Sequence, residues 1–81
     1  MKEPKHVRLE YWDGFSDKVY AINLQEGESE NEWTVICIYG RRGNVRNHAL
    51  KTPIPVSYGE AREIYDKLLD QKLKKGYEIA E

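Results

Sequence analysis

Apolar and charged residues alternate along the first part of the chain. The alternation is clear in residues 7–11, and a shared apolar face returns every second residue in residues 18–24. A period of two is typical of a half-buried β-strand. An Asp-Gly pair between the two segments is a turn signal. The pattern therefore predicts two strands joined by a tight turn.

The next strand has a different pattern. Residues 33–39 are apolar on both faces, which favours a central strand that is covered on both sides, at least in part. The polar segment 25–31 before it is predicted to be a hairpin loop. Gly40 and Gly43 bracket the following turn, and residues 44–52 form a plausible fourth strand that two prolines end.

The helix is the best-specified element. Ser57 and Glu60 have the spacing of a capping box. Apolar residues then recur at helical spacing from Ala61 to Leu73, and Gly76 follows as the expected residue after the C-terminus. The sequence thus predicts an α+β domain, in which an antiparallel sheet of four or five strands packs against one long C-terminal amphipathic helix.

Length and composition set the class of protein. The chain has 81 residues and a net charge of −1, and no stretch approaches the roughly 18 apolar residues of a membrane span. One cysteine excludes an intrachain disulfide, and the N-terminus has no apolar segment typical of a secretory signal. Residues 1–81 are therefore expected to form one domain: a cytoplasmic monomer with no membrane partner.

The near-neutral total hides two charged segments. Residues 33–52 carry +4 and no acidic residue, whereas residues 26–32 carry −4. Because salt screens charges over about 8 Å, a ligand responds to the local charge. The acidic segment is interpreted as a solvated loop or, alternatively, as a surface for a basic partner or a mimic of nucleic acid. It holds four glutamates: Glu26, Glu28, Glu30 and Glu32.

Few residues suggest catalysis. His6 and His48 have no second histidine or cysteine at ligand spacing, so no metal site is expected, and no cofactor-binding motif is present. Cys37 lies in an apolar run and is interpreted as a small buried residue. The protein is therefore predicted not to be an enzyme, with His48 as the sole candidate if it is one.

The positive signal is an aromatic residue followed by clustered arginines. A tyrosine ring can hold a sugar or base while guanidinium groups bind phosphate. The alternative is a solvated turn with Tyr39 in the core. The lysines at the helix end are similarly open to two interpretations, as complements of the helix dipole first and as phosphate contacts second. The predicted nucleic-acid-binding residues are Tyr39, Gly40, Arg41, Arg42, Arg46 and Lys51.

Three segments together resemble the WGR domain family. Residues 16–24 resemble its opening strand, residues 35–43 its central strand and signature turn, and residues 61–77 its long helix with a Lys-Gly-Tyr close. The resemblance implies an antiparallel sheet with one principal helix. In poly(ADP-ribose) polymerases the domain binds DNA near a strand break and relays that contact to catalytic machinery, and bacterial proteins also carry it. No ADP-ribosyl transfer is implied for these 81 residues.

The resemblance also assigns roles to the signature turn. Tyr39-Gly40-Arg41 occupies the place of the Trp-Gly-Arg triplet. By resemblance, Tyr39 would pack against a terminal nucleotide, Gly40 would permit the turn, and Arg41 would contact phosphate or a neighbouring domain. The chain departs from the family by having Arg42 where an apolar residue is usual, Arg46-Asn47 where Gly-Gln is common and Pro53 where an aromatic is common.

These observations lead to a functional hypothesis and an alternative. The predicted function is nucleic-acid binding, with DNA as the ligand in preference to RNA. The alternative is a module for protein–protein interaction or a regulatory adaptor that binds no nucleic acid. A separate protein partner is compatible with either.

Overall fold

The chain folds into one antiparallel sheet and one helix. The computed structural model describes residues 3–29 and 31–80. The sheet has the strand order β4-β3-β2-β1-β5, so the predicted α+β class is confirmed, with a helix of 17 residues. Along the chain the elements are β1 (Lys5–Trp12), β2 (Asp17–Glu26), β3 (Trp33–Arg41), β4 (Asn44–Leu50), α1 (Tyr58–Lys74) and β5 (Glu78–Ile79).

The core lies between α1 and one face of the sheet. Strands β1, β2 and β3 contribute alternate residues to it, as expected for side chains that point to opposite faces in turn. From α1, Ala61 and Tyr65 are buried against them. The buried strand residues of this core cluster are Val7, Leu9, Tyr20, Ile22, Leu24, Trp33, Val35 and Cys37.

The other face of the sheet has no second layer among residues 3–29 and 31–80, and β3 is covered there only in part, in agreement with the expectation that it is covered on both sides at least in part. We call this surface the open face. Ile36 and Ile38 are only half-buried there, and Leu50 and Trp12 are 52% and 73% exposed. The apolar pattern has a different cause: a central strand is flanked on both sides, so the side chains of its neighbours shield it partly without a second layer.

The segment between β4 and α1 is tied to β3 by hydrogen bonds. The Val35 N–H donates to the Thr52 hydroxyl at 3.0 Å, and the Thr52 side chain is buried. Trp33 and Val56 exchange two backbone hydrogen bonds, of 2.8 and 3.0 Å. Ser57 then caps α1 by accepting from the Glu60 N–H at 3.3 Å. These contacts fix where the helix starts, and hence where its far end meets the sheet.

The end of α1 has the predicted form. Lys75 is its C-cap, and Gly76 follows with a φ of +104°, a conformation that glycine adopts without steric cost. The chain then pairs with β1 through β5. Within the described residues, no helix is long and apolar enough to cross a bilayer.

Candidate functional site

A cavity of about 540 Å³ lies on the helix side of the sheet, between the C-terminal end of α1 and strands β2, β3 and β4. We call it the Tyr39 cavity. Its wall combines three aromatic with four basic side chains, and Gly40 contributes backbone. The seven side chains are Tyr20, Tyr39, Tyr77, Lys18, Arg41, Lys51 and Lys72.

The three tyrosines form a stack that leaves one ring open to solvent. Tyr39 lies on Tyr20 with ring centroids 5.7 Å apart and an interplanar angle of 23°. Tyr77 meets the same Tyr20 ring edge-on, at 6.2 Å. Tyr20 is buried, whereas Tyr39 is 36% exposed. Because one side of the Tyr39 ring is fixed by packing and the ring remains partly exposed, Tyr39 is available to a ligand as a rigid platform.

Lys72 brings a positive charge into this aromatic cluster. Its ammonium nitrogen lies 4.2 Å from the centroid of the Tyr20 ring and 5.4 Å from that of Tyr77, within the range of cation–π attraction. Burial lowers the pKa of Lys72, and the neighbouring charge of Lys75 lowers it further. An anion in the cavity would relieve this repulsion.

The positive charge of the cavity is not balanced by carboxylates. Among residues 3–29 and 31–80, no ion pair joins Lys18, Arg41, Lys51 or Lys72 to an acidic side chain. The four cations therefore give the cavity a local charge of +4 in a molecule whose total is −1. Such a concave surface attracts anions.

Strand register explains why these residues meet. In the pairing of β2 with β3, Tyr20 lies opposite Tyr39 and Lys18 opposite Arg41. Directly opposed residues of antiparallel strands have Cβ atoms about 5 Å apart, on the same face. On the other side of β3, Tyr39 lies opposite Asn47. Each strand thus delivers its side chain to the same end of the same face.

Gly40 lets β4 approach closely at this point. It lies within β3 beside a bulge and not in the turn, where the sequence placed it. Tyr39 pairs with Asn47 and Gly40 with Val45, so Arg46 is the extra residue of the bulge. A Cβ atom at position 40 would lie 2.7 Å from the carbonyl oxygen of Asn44, closer than packed atoms allow. Position 40 therefore requires glycine.

The sequence that forms this site can be compared with those of known proteins. The family model of the WGR domain matches residues 6–81, nearly the whole chain. The chain belongs to the WGR domain family. No curated protein and no solved structure matches it significantly. WGR domains are small binding modules associated with nucleic acids and are not themselves catalytic.

The WGR signature triplet lies together in the cavity. Tyr39, Gly40 and Arg41 all line it, and Lys51 joins them from the segment after β4. Arg42 and Arg46, the other two predicted site residues, do not line it. The sequence therefore predicts six residues for one candidate site, and four of them line the same cavity in the structure.

Arg42 is placed on the open face, where it is held by two carboxylates. Its Nε donates to both carboxylate oxygens of Asp17 at 2.9 Å, and a terminal guanidinium nitrogen donates to Glu10 at 2.7 Å. Arg8 also contacts Glu10, at 3.3 Å. Arg42 lies in the turn after β3, where its backbone N–H also donates to the carbonyl oxygen of Asp17 at 3.0 Å, and these contacts with Asp17 and Glu10 explain why it is separated from Arg41. Arg46, the exposed extra residue of the bulge, likewise lies outside the cavity.

The cluster around Glu10 gives this WGR domain a specific acid sensitivity. The hydrogen bond from Arg42 holds the pKa of Glu10 below its ordinary value of 4.5. A lowered folded-state pKa stabilises the fold above the unfolded value, and this contribution is lost as the pH falls through the lowered pKa. We expect Glu10→Gln to flatten the loss of stability below about pH 4.5, measured by urea denaturation across pH, while the exposed Glu63→Gln leaves the profile unchanged. An unaltered profile in Glu10→Gln would contradict the assignment.

Sequence reasoning left several wall residues out of the site. From the sequence, Lys72 is interpreted as a complement of the helix dipole first and as a phosphate contact second, and it is not among the predicted site residues, although it continues the buried stripe of Ala61 and Tyr65 at helical spacing. A lysine in an apolar stripe is the signal that could have found it. Tyr20 and Lys18 carry no such signal, because their role depends on the register of β2 against β3.

The remaining candidates lie elsewhere. His48 is exposed in β4, between cavity residues Asn47 and Ala49, and so points to the open face. Across the described ranges, no three His, Cys, Asp or Glu side chains converge where they could hold a metal ion. In the acidic segment, Glu30 lies outside the described residues. Glu26 ends β2, and Glu28 and Glu32 lie in the β2–β3 loop, at the far end of the sheet from the cavity.

Proposed function

We propose that this WGR domain binds nucleic acid, with DNA as the preferred ligand, in the Tyr39 cavity. The observation that carries the proposal is a single concave surface on which one exposed tyrosine meets four cations that have no ion-pair partner among the described residues. A sugar or base packs on the free face of Tyr39. Phosphate groups lie against Arg41, Lys51 and Lys72. DNA is preferred to RNA because of the role of WGR domains in poly(ADP-ribose) polymerases.

The distribution of charge supports this placement. Lys18 and Glu26 lie near opposite ends of β2, eight residues apart, which is about 26 Å along an extended strand. That distance is about three screening lengths at physiological salt. The acidic loop therefore does not neutralise the cavity, and an approaching phosphate backbone is steered to the basic end of the molecule.

A salt-dependent titration tests the proposal. The probe is a labelled, nicked or blunt DNA duplex with a 5′-phosphate, and binding is followed by fluorescence anisotropy from about 50 mM salt upwards. Three or four phosphate contacts predict a log–log slope of about −3 to −4. Absence of binding at the lowest salt would overturn the proposal.

Two adjacent arginines provide a matched pair of variants. Arg41→Ala is expected to weaken binding about five- to tenfold and to reduce the salt slope by about one, because one charged contact is lost. Arg42→Ala removes the same charge from the same hairpin but from the opposite face, so binding is expected to change less than twofold. Equal losses in the two variants would show that total charge, and not the cavity, governs binding.

The open face favours a second function, protein interaction. Half-buried Ile36 and Ile38 and the exposed Leu50 give that face an apolar character that nucleic acid does not need. A folded protein that binds no duplex at low salt would favour this alternative. Its partner would be sought at the open face.

A further inference from the structure

A second cavity continues from the first. It has a volume of about 410 Å³ and lies between the β1–β2 turn and the end of α1. We call it the Tyr11 cavity. Lys18, Lys72 and Tyr77 line both cavities. The two therefore form one track that leads from Arg41, past Lys72, to the β1–β2 turn.

The Tyr11 cavity is aromatic and less basic than the first. Tyr11 and Tyr77 contact each other with ring centroids 5.3 Å apart, and the Lys18 ammonium lies 5.7 Å from the Tyr11 ring. Lys75 adds a cation, and Asp13 contributes one carboxylate. The local charge is thus +2, against +4 in the Tyr39 cavity. Along the track from the Tyr39 cavity to the Tyr11 cavity, the surface therefore becomes less suited to binding phosphate and more suited to contacts with rings.

The Asp13 carboxylate is already engaged. Its Oδ1 accepts hydrogen bonds from the N–H groups of Phe15 and Ser16, at 2.9 and 2.7 Å. Its Oδ2 accepts from the Tyr11 hydroxyl at 3.2 Å. These donors hold the pKa of Asp13 below its usual range. The three hydrogen bonds reduce the repulsion that the Asp13 carboxylate would exert on an anionic ligand. They also fix the shape of the turn.

Phe15 is presented by this fixed turn. Its side chain is 99% exposed, and its chain neighbour Ser16 lines the Tyr11 cavity, as does Asp13. Burying this ring would remove a large apolar surface from water. A held turn also reduces the conformational entropy lost when a ligand binds. Phe15 does not itself line the Tyr11 cavity, but it lies between Asp13 and Ser16, which do, so its exposed ring has the properties of a stacking platform beside the end of the track.

Aromatic rings interleaved with cations are the usual means of holding single-stranded nucleic acid, because every base has a face that can stack. We infer that the track binds a short single-stranded extension of the DNA, with an unpaired base stacked on Phe15 and its backbone passing Lys72 and Lys75. The inference rests on the proposed function, since the Tyr39 cavity holds the adjoining part of the strand. Phe15 is three residues from Lys18, at most about 10 Å, so the extension needs only one or two nucleotides to reach it.

The experiment compares two kinds of 5′-phosphorylated duplex with double-stranded parts of equal length: a blunt duplex, and extended duplexes that carry three unpaired nucleotides on one strand or on the other. The wild-type protein is expected to bind one of the extended duplexes about tenfold more tightly than the blunt one, the value of one stacked base. Phe15→Ala is expected to remove this advantage and leave blunt-end binding unchanged. Phe15→Tyr is expected to retain it.

Trp12→Ala is the matched control, since Trp12 is also an exposed aromatic but lies on the open face. It is expected to bind both duplexes like the wild type. Binding of the blunt duplex without any gain from an extension, or an extension advantage that survives in Phe15→Ala, would overturn the inference and leave the proposed function standing. Failure to bind either duplex would instead overturn the proposed function.

Discussion

Replacing Lys72 by glutamate is expected to reduce DNA binding by about 100-fold or more, measured by anisotropy at about 50 mM salt. Lys72 is shared by both cavities and lies over the Tyr20 ring at their junction. The substitution removes a cation and places a carboxylate beside the expected position of phosphate, and like charges brought together cost several kcal/mol. The effect should therefore exceed that of any single loss of charge at the rim.

The matched variant is Lys72→Met, which keeps an unbranched stem for packing against Tyr20 but has no charge. It is expected to weaken binding about five- to tenfold. Because burial already lowers the pKa of Lys72, the fold does not depend on that charge, and Lys72→Met should unfold at or above the wild-type temperature. A folded Lys72→Glu protein that binds DNA as the wild type does would remove the Tyr39 cavity as the binding site.

Trp33→Ala is expected to lower the free energy of unfolding by about 3–5 kcal/mol. The Trp33 side chain is 1% exposed and meets the Tyr58 ring edge-on, with centroids 4.8 Å apart. The total stability of a domain of this size is about 4–12 kcal/mol, so the substitution would remove between about a quarter and all of it. Urea or thermal denaturation, followed by far-ultraviolet circular dichroism, measures the change.

Trp12→Ala is the control for this substitution, because it also removes an indole, but from an exposed position. Its unfolding free energy is expected to change by less than about 0.5 kcal/mol. Similar losses in the two variants would contradict the assignment of the core to the helix side. Since the Trp33 ring contacts Tyr58, the first residue of α1, loss of the ring should loosen the start of the helix.

Local patterns predicted most of the fold. Alternation located the strands, although β2 and β3 each extend two residues further at their C-terminal ends than predicted. The Ser57 cap and Gly76 gave the ends of α1 because both depend on neighbouring residues alone. The sequence predicts that β3 is covered on both sides at least in part, but it does not show what covers it, because an apolar strand looks the same whether a second layer covers it or only flanking strands shield it.

The candidate site was predictable only in part. Tyr39, Gly40 and Arg41 are consecutive, so a local motif reveals them, and the family match covers them. Arg42 has the same residue type as Arg41 and lies beside it, yet the turn after β3 and the carboxylates of Asp17 and Glu10 put it on the other face. Charge counted along the chain cannot separate the two.

Contacts between strands supply the rest of the site. Tyr20 and Lys18 enter the cavity through pairing with residues that lie about twenty positions later. No short-range pattern contains that register. Lys72 enters through the packing of α1, whose angle across the sheet depends on the whole core. The basic charge of the cavity therefore comes from three separate parts of the chain.

The bulge at Arg46 has a consequence for comparing WGR sequences. Asn47 and Ala49 lie on the cavity side because Arg46 takes up one residue without a partner in β3. A relative that lacks this residue would pair regularly and present the same side chains to the same cavity. A one-residue alignment gap at position 46 is thus compatible with an intact site. A one-residue gap between Asn47 and Lys51, in contrast, would move side chains of β4 from the cavity side to the open face, and the reverse.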